Sequence, residues 1–226
     1  MAAYGPQGWW PVTSEGDATP TYRPLFFGPL DEARQTEIAL GAILTQNTAW
    51  TNVTKALANL RRSGLVRLSD IRRAPLAKLA HLVRPSGYFR QKAQKLRIFA
   101  EHILGKSSKL SDYLEQPTRR LRPDLLGIWG IGPETADSII LFAARRPVFV
   151  IDAYTKRIMS RMGYFREASY SDAQKFCASQ LPRRHEIYNE FHALLVAHAK
   201  RHCRASPRCL GCPLLTSCRL GRSLRA

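Results

Sequence analysis

No stretch of this 226-residue chain approaches the roughly 20 consecutive apolar residues that a membrane-spanning helix needs. Its opening, MAAYGPQGWWP, lacks the charged and then apolar order of a secretory leader. A cytoplasmic protein with no membrane partner is expected. Carboxylates are scarce as well: 17 acidic residues face 35 basic ones, for a formal charge of +18 and a pI near 10.3. That imbalance excludes a cationic partner and points to nucleic acid, with a basic membrane-surface protein as the weaker reading. Strand signals are few, the one short β-branched run being PVFVID at residues 147–152. Repeats and low-complexity tracts are absent, so the chain reads as one large domain or two small ones.

What remains is helical periodicity. Apolar residues recur at three and four in IALGAILTQNTAWTNVTKALANL and again in KAQKLRIFAEHIL. Gly and Pro cluster at Ser63-Gly64, Pro85-Ser86-Gly87, Gln116-Pro117 and Gly130 to Pro133, leaving helices of ordinary length between the breaks. The expected class is all-α. The first 30 residues, rich in Gly, Pro and aromatics, read as an irregular wrap against the helical body.

Two features carry chemistry within this helical frame. LLGIWGIGPETADSIILFAA places a glycine turn, Gly130-Ile131-Gly132, between two helices, with Pro133 in the first turn of the second. This is a helix-hairpin-helix pattern. Its glycines admit a close phosphate, and the N–H groups that follow, Thr135 among them, offer donors to a DNA backbone; a plain helical hairpin is the alternative. Shortly after it, VFVIDAYTKRI delivers Asp152 behind a hydrophobic segment, where it serves as an N-cap, a catalytic carboxylate, or both.

Four of the five cysteines, Cys203, Cys209, Cys212 and Cys218, follow C-x5-C-x2-C-x5-C in a segment that holds seven Lys or Arg from Lys200 onward and no acid. In a reducing compartment such thiols read as metal ligands. An iron–sulfur cluster fits better than zinc, whose ribbons pair two C-x2-C units where this chain has one. Cys177 stands alone in an apolar-periodic stretch and reads as packing.

In this order, AILTQNTAW, RPSGYFRQKAQKL, GIWGIGPETAD, VFVIDAYTKRI and HAKRHCRASPRCLGCPLLTSC resemble the endonuclease III superfamily of base-excision DNA glycosylases over nearly the whole chain. The resemblance implies a six-helix barrel domain over residues 31–146, with the hairpin at about 121–144, and a discontinuous second domain of residues 1–30 and 147–226 carrying a [4Fe–4S] cluster loop at 203–218. It implies a monomer that binds double-stranded DNA containing a damaged base, associated with the nucleoid when bound. Asp152 takes the place of the family's catalytic aspartate, and Gln46 the place of a side chain that fills the gap left by a flipped base; an ordinary polar turn residue is the alternative for Gln46.

Where endonuclease III has a hairpin lysine that attacks the sugar, this chain has Glu134, and the first cysteine spacing is one residue shorter than the family's usual six. A carboxylate forms no Schiff base, so the resemblance implies hydrolysis without strand cleavage. Trp9-Trp10-Pro11, LTQNTAW and GIGPETAD are similar to the 3-methyladenine DNA glycosylase branch, which implies Trp9, Trp10 and Trp50 as aromatic walls for a cationic methylpurine and Lys200 as a pocket lysine. Core packing for the tryptophans and a DNA-facing role for Lys200 are the alternatives. Arg84, Arg90, Lys92, Lys95 and Arg97 form an acid-free run expected to track phosphates, with a solvated helix face as the alternative. The competing functions are an endonuclease III-like glycosylase for oxidised or deaminated bases, with lyase activity from a lysine such as Lys156, and a non-catalytic DNA-binding module.

Overall fold

The computed structural model describes residues 2–224. Met1, Arg225 and Ala226, the outermost residues of the expected terminal domain, lie outside the described residues. Among the described residues the regular structure is helical, with one isolated antiparallel bridge, Val12 to Thr21. The all-α expectation holds. The chain forms two compact units, one of Trp10–Tyr22 and Phe27–Arg146, the other of the described residues up to Trp9, Arg23–Phe26 and those from Pro147 onward.

The larger unit is organised around α1 (Glu32–Leu44), which packs against α2 (Trp50–Arg62), α5 (Phe89–Lys106), α6 (Leu110–Leu114) and α8 (Pro133–Ser138). Every residue of α1 from Ile38 to Leu44 is buried, the signature of a helix surrounded on all sides. Its start is chemically marked: the Asp31 carboxylate accepts from the Arg34 N–H at 2.8 Å. Glu32 reaches further and accepts from the N–H groups of Leu110 and Ser111, both at 2.8 Å, so one carboxylate caps the start of α6 from a distance of 78 residues in sequence.

Two short helices, α3 (Leu68–Arg73) and α4 (Leu76–Leu82), pack on α5. The core face of α5 is Ala93, Leu96, Phe99, Ala100 and Ile103, spaced at three and four. That spacing overturns the reading of its basic run as a phosphate track. Lys92 falls on the core face, 2% exposed, and donates to the Leu44 carbonyl at 2.8 Å and the Ser86 carbonyl at 2.6 Å. Burial, reinforced by Lys95, lowers its ammonium pKa to about 8. Lys95 donates to the Gln46 amide oxygen and Arg97 to the carbonyls of Ile71 and Ala74. Arg84 and Arg90 are the members of the run that stay exposed.

The hairpin joins α7 (Thr118–Leu126) to α8, which continues without a break into a π turn, Ile139–Ala143, packed on α1. Asp137, fully buried on α8, receives a bidentate pair from Arg122 on α7, Nε to Oδ1 at 2.7 Å and Nη2 to Oδ2 at 3.0 Å. This fork ties the two helices together. A second carboxylate, Asp124, anchors α7 to α5 and α6 by accepting from Tyr113 Oη at 2.6 Å, from His102 and from Lys106. Desolvation pushes the Asp124 carboxyl up, but these donors outweigh it and hold its pKa at about 2.

In the smaller unit α9 (Ala153–Met162) packs on α11 (His185–Arg201) and α12 (Arg219–Ser223), with α10 (Tyr170–Ser179) between α9 and α11 in sequence. Cys177 on α10 is buried, and burial pushes its thiol up to about 11, as a packing residue requires.

Arg122→Met leaves the Asp137 carboxylate buried without its bidentate partner. A loss of about 3 kcal/mol or more in unfolding free energy is expected, and urea denaturation followed by circular dichroism measures it.

Candidate active site

The β-branched run at residues 147–152 is extended but joins no sheet, so its backbone groups need other partners. Side chains supply them. Gln174 on α10 donates to the Phe149 carbonyl at 2.6 Å, His192 Nδ1 on α11 lies 3.4 Å from the Val150 carbonyl, and the Ile151 N–H reaches the Tyr170 hydroxyl at 3.4 Å. Phe149, Val150 and Ile151 are buried. The segment therefore ends rigidly at Asp152, which is the N-cap of α9: its Oδ1 accepts from the Thr155 N–H at 2.7 Å. Its other oxygen, Oδ2, lies 3.9 Å from His192 Nε2. Lys200, toward the exposed end of α11, has its ammonium pKa lowered by partial burial while the Asp152 carboxylate acts in the opposite direction. A helix-capping carboxylate with a lysine in electrostatic range is suited to stabilise a developing cation.

The hairpin lies in the larger unit. Gly130 has φ +83°, so the backbone requires glycine, and a Cβ there would fall 2.6–2.8 Å from the Lys95 side chain. Gly132 is exposed, with nothing within 4 Å of where a Cβ would stand. Gln46, in the turn between α1 and α2, donates its amide to the Gly130 carbonyl and the Thr135 hydroxyl, both at 3.0 Å, and accepts from Lys95. The structure thus brings Gln46, Gly130 and Thr135 into one hydrogen-bonded set, with Gly132 on its open side. Glu134 sits exposed in the first turn of α8, where the helix dipole favours an acid.

Two of the three candidate tryptophans meet. Trp10 packs edge-on against Trp50, the first residue of α2, with ring centroids 5.1 Å apart, and against Phe142 of the π turn at 5.2 Å. Gly41 makes the room: a Cβ on it would come within 3.1 Å of the Trp10 ring. All three tryptophans are half-buried, and Trp9 belongs to the smaller unit.

Cys203, Cys209, Cys212 and Cys218 are free thiols lining one pocket together with Arg161, His198 and Arg208. No carboxylate lines it. Burial and, after it, the three companion thiols push the Cys212 thiol up. Among the described residues no group of His, Cys, Asp and Glu is arranged to hold a single metal ion. Arg161 of α9 donates to Cys203 Sγ at 3.4 Å, and its own carbonyl accepts from Cys218 Sγ at 3.4 Å.

Sequence reading did not single out Gln174, His192, Tyr170 or Phe142. Each sits in an ordinary helical pattern, and nothing local marks a side chain that serves a carbonyl 25 or 42 residues away.

Residues 40–183 match the model of the HhH-GPD superfamily of base excision DNA repair proteins. A putative DNA repair glycosylase of Methanocaldococcus jannaschii is 39% identical over 219 residues, covering 95% of this chain and 90% of that protein. Endonuclease III of Bacillus subtilis is 29% identical over 158 residues, 69% and 68% of the two chains. Among solved structures, the Helicobacter pylori 3-methyladenine DNA glycosylase bound to 1,N6-ethenoadenine aligns with a TM-score of 0.67 at 30% identity, covering 73% of this chain and 84% of that one. A non-covalent endonuclease III–DNA complex aligns with a TM-score of 0.74 at 25% identity, over 85% and 86%. With the hairpin and the capping aspartate in place, these similarities establish that the chain belongs to the HhH-GPD superfamily, as a base excision repair DNA glycosylase of the endonuclease III family.

Proposed function

We propose that this glycosylase hydrolyses the N-glycosidic bond of alkylated purines in duplex DNA and leaves the abasic strand intact. The observation that carries the reading is Glu134 in the first turn of α8: the hairpin presents a carboxylate where an attacking amine would be needed for a Schiff base. Gly130, Gly132 and Thr135 are assigned to holding the DNA backbone at the exposed glycine turn, and Gln46, hydrogen-bonded to Gly130 and Thr135, to the gap left by the flipped base. Asp152 stabilises the cationic sugar and assists water, with Lys200 beside it. Trp9, Trp10 and Trp50 are assigned to the base, and an electron-rich indole favours a cationic methylpurine by about 0.5–2 kcal/mol over a neutral base. Similarity to the 3-methyladenine glycosylase supports this substrate class.

The thiol-lined cavity fits a [4Fe–4S] cluster, held by Cys203, Cys209, Cys212 and Cys218. Four sulfur donors without a carboxylate and with arginines beside them suit a polynuclear dianionic group better than zinc. When bound, the cluster cross-links the C-terminal loop, and base release uses only the chain's own residues.

On a panel of duplexes each carrying one defined lesion, methylpurines are expected to be released in preference to neutral lesions, with strand breaks appearing only after alkali. Trapping of a covalent adduct by borohydride, or release of thymine glycol without action on 3-methyladenine, would replace this reading with the lyase-active one. Trp50→Ala is expected to slow methylpurine excision tenfold or more, about 1.4 kcal/mol, while binding to an abasic duplex stays unchanged.

Asp152→Asn is expected to abolish excision and to leave duplex affinity equal or higher, since it removes a negative charge near phosphates; single-turnover assays and fluorescence anisotropy read the two effects.

Purified protein is expected to be brown, with iron and sulfide in equal amounts. Colourless protein holding one zinc per chain would sink the cluster assignment. Cys209→Ser is expected to disorder the C-terminal loop more than it impairs chemistry, seen as faster hydrogen exchange there.

A further inference from the structure

The Asp side chain ends in a soft torsion: rotation of the carboxylate about its last bond is broad and roughly two-fold, so one hydrogen bond does not fix the plane of the group. At Asp152 the Thr155 N–H holds Oδ1 at 2.7 Å and leaves that rotation open. The second point of contact is the imidazole of His192. Its Nε2 lies 3.9 Å from Oδ2, the span of an ion pair or of one bridging water and too long for a direct hydrogen bond.

His192 is itself well placed to serve as a fixed reference. It is 5% exposed, it sits within the 17-residue α11, and its Nδ1 lies 3.4 Å from the Val150 carbonyl. A carbonyl and a carboxylate oxygen both only accept, so these two contacts call for a hydrogen on each ring nitrogen, Nδ1–H toward Val150 and Nε2–H toward the carboxylate. One ring thereby touches the backbone of Val150 and the side chain of Asp152, two residues further on. We infer that His192 is a positioning residue for base release: through Nε2 it sets the plane of the Asp152 carboxylate, so that its charge meets the developing sugar cation in one orientation. The inference rests on the assignment of Asp152 above and adds a residue to it. Preorganisation of this kind acts on the chemical step and leaves DNA binding untouched.

The two faces of the ring can be separated by substitution, because a glutamine amide nitrogen reaches about as far as Nε2 and an asparagine amide nitrogen about as far as Nδ1. His192→Gln keeps a donor toward Asp152 and gives up the Val150 contact; His192→Asn does the reverse. The test measures single-turnover release of the base that wild-type protein removes most readily from the lesion panel, with thermal midpoint and affinity for an abasic duplex as companions. Positioning through Nε2 predicts His192→Gln within about threefold of wild type and His192→Asn slowed tenfold or more, about 1.4 kcal/mol, both binding the abasic duplex within twofold of wild type. The reverse order, or equal loss in both variants in step with a lowered thermal midpoint, would show that the histidine only anchors the Val150 segment and would overturn the inference. Asp152→Asn run alongside separates the two readings: wild-type turnover in that variant refutes the role of Asp152 itself, whereas an inactive Asp152→Asn with a fast His192→Asn refutes only the role of His192.

Discussion

A chain built almost entirely of short helices ends many of them, and each end leaves carbonyls with no partner inside the helix. In this protein backbone N–H groups of the following turns serve many of them, and cationic or amide side chains from elsewhere serve others. Lys92 serves Leu44 and Ser86, Asn59 serves Leu82, Arg97 serves Ile71 and Ala74, Arg146 serves Leu114 and Gln116, and Arg157 serves Cys203. The functional elements depend on the same device: Gln46 and Lys95 tie the hairpin glycine to the turn after α1, and Gln174 and His192 hold the extended run that ends at Asp152.

This constraint changes what the charge of +18 means. Part of the basic excess is structural, spent on buried or half-buried carbonyls rather than displayed to a polyanion. Lys92 is the extreme case, with its pKa lowered to about 8 by burial and by Lys95. A phosphate contact needs a mobile, solvated cation, and the run supplies it at Arg84, ahead of α5, and at Arg90.

Glycine placement follows the same economy of space. Gly130 is required by a left-handed backbone and crowded by the Lys95 chain across from it, while Gly41 has an ordinary helical backbone and is crowded only by the Trp10 ring. The first is a turn signal that any reader of the sequence notices. The second reads as a weak spot in an apolar helix until the aromatic that occupies the space is known, and that aromatic lies 31 residues earlier, in an irregular segment.

The sequence by itself determined the helical class, the glycine turn with Pro133 behind it, the capping position of Asp152 and the grouping of the four cysteines. These rest on interactions within a few residues: apolar spacing of three and four, a side chain accepting from the N–H three places on, a turn that only glycine completes. Tertiary structure alone decided that Lys92, Lys95 and Arg97 turn inward, that Glu32 caps a helix 78 residues away, and that residues 149–151 stay extended without a sheet. Phe142 joined the tryptophans, and His192 came to face Asp152, for the same reason. Hydrogen bonds and ring contacts of this range carry no local pattern, since the donor's neighbours say nothing about which distant carbonyl or carboxylate the fold will set before it.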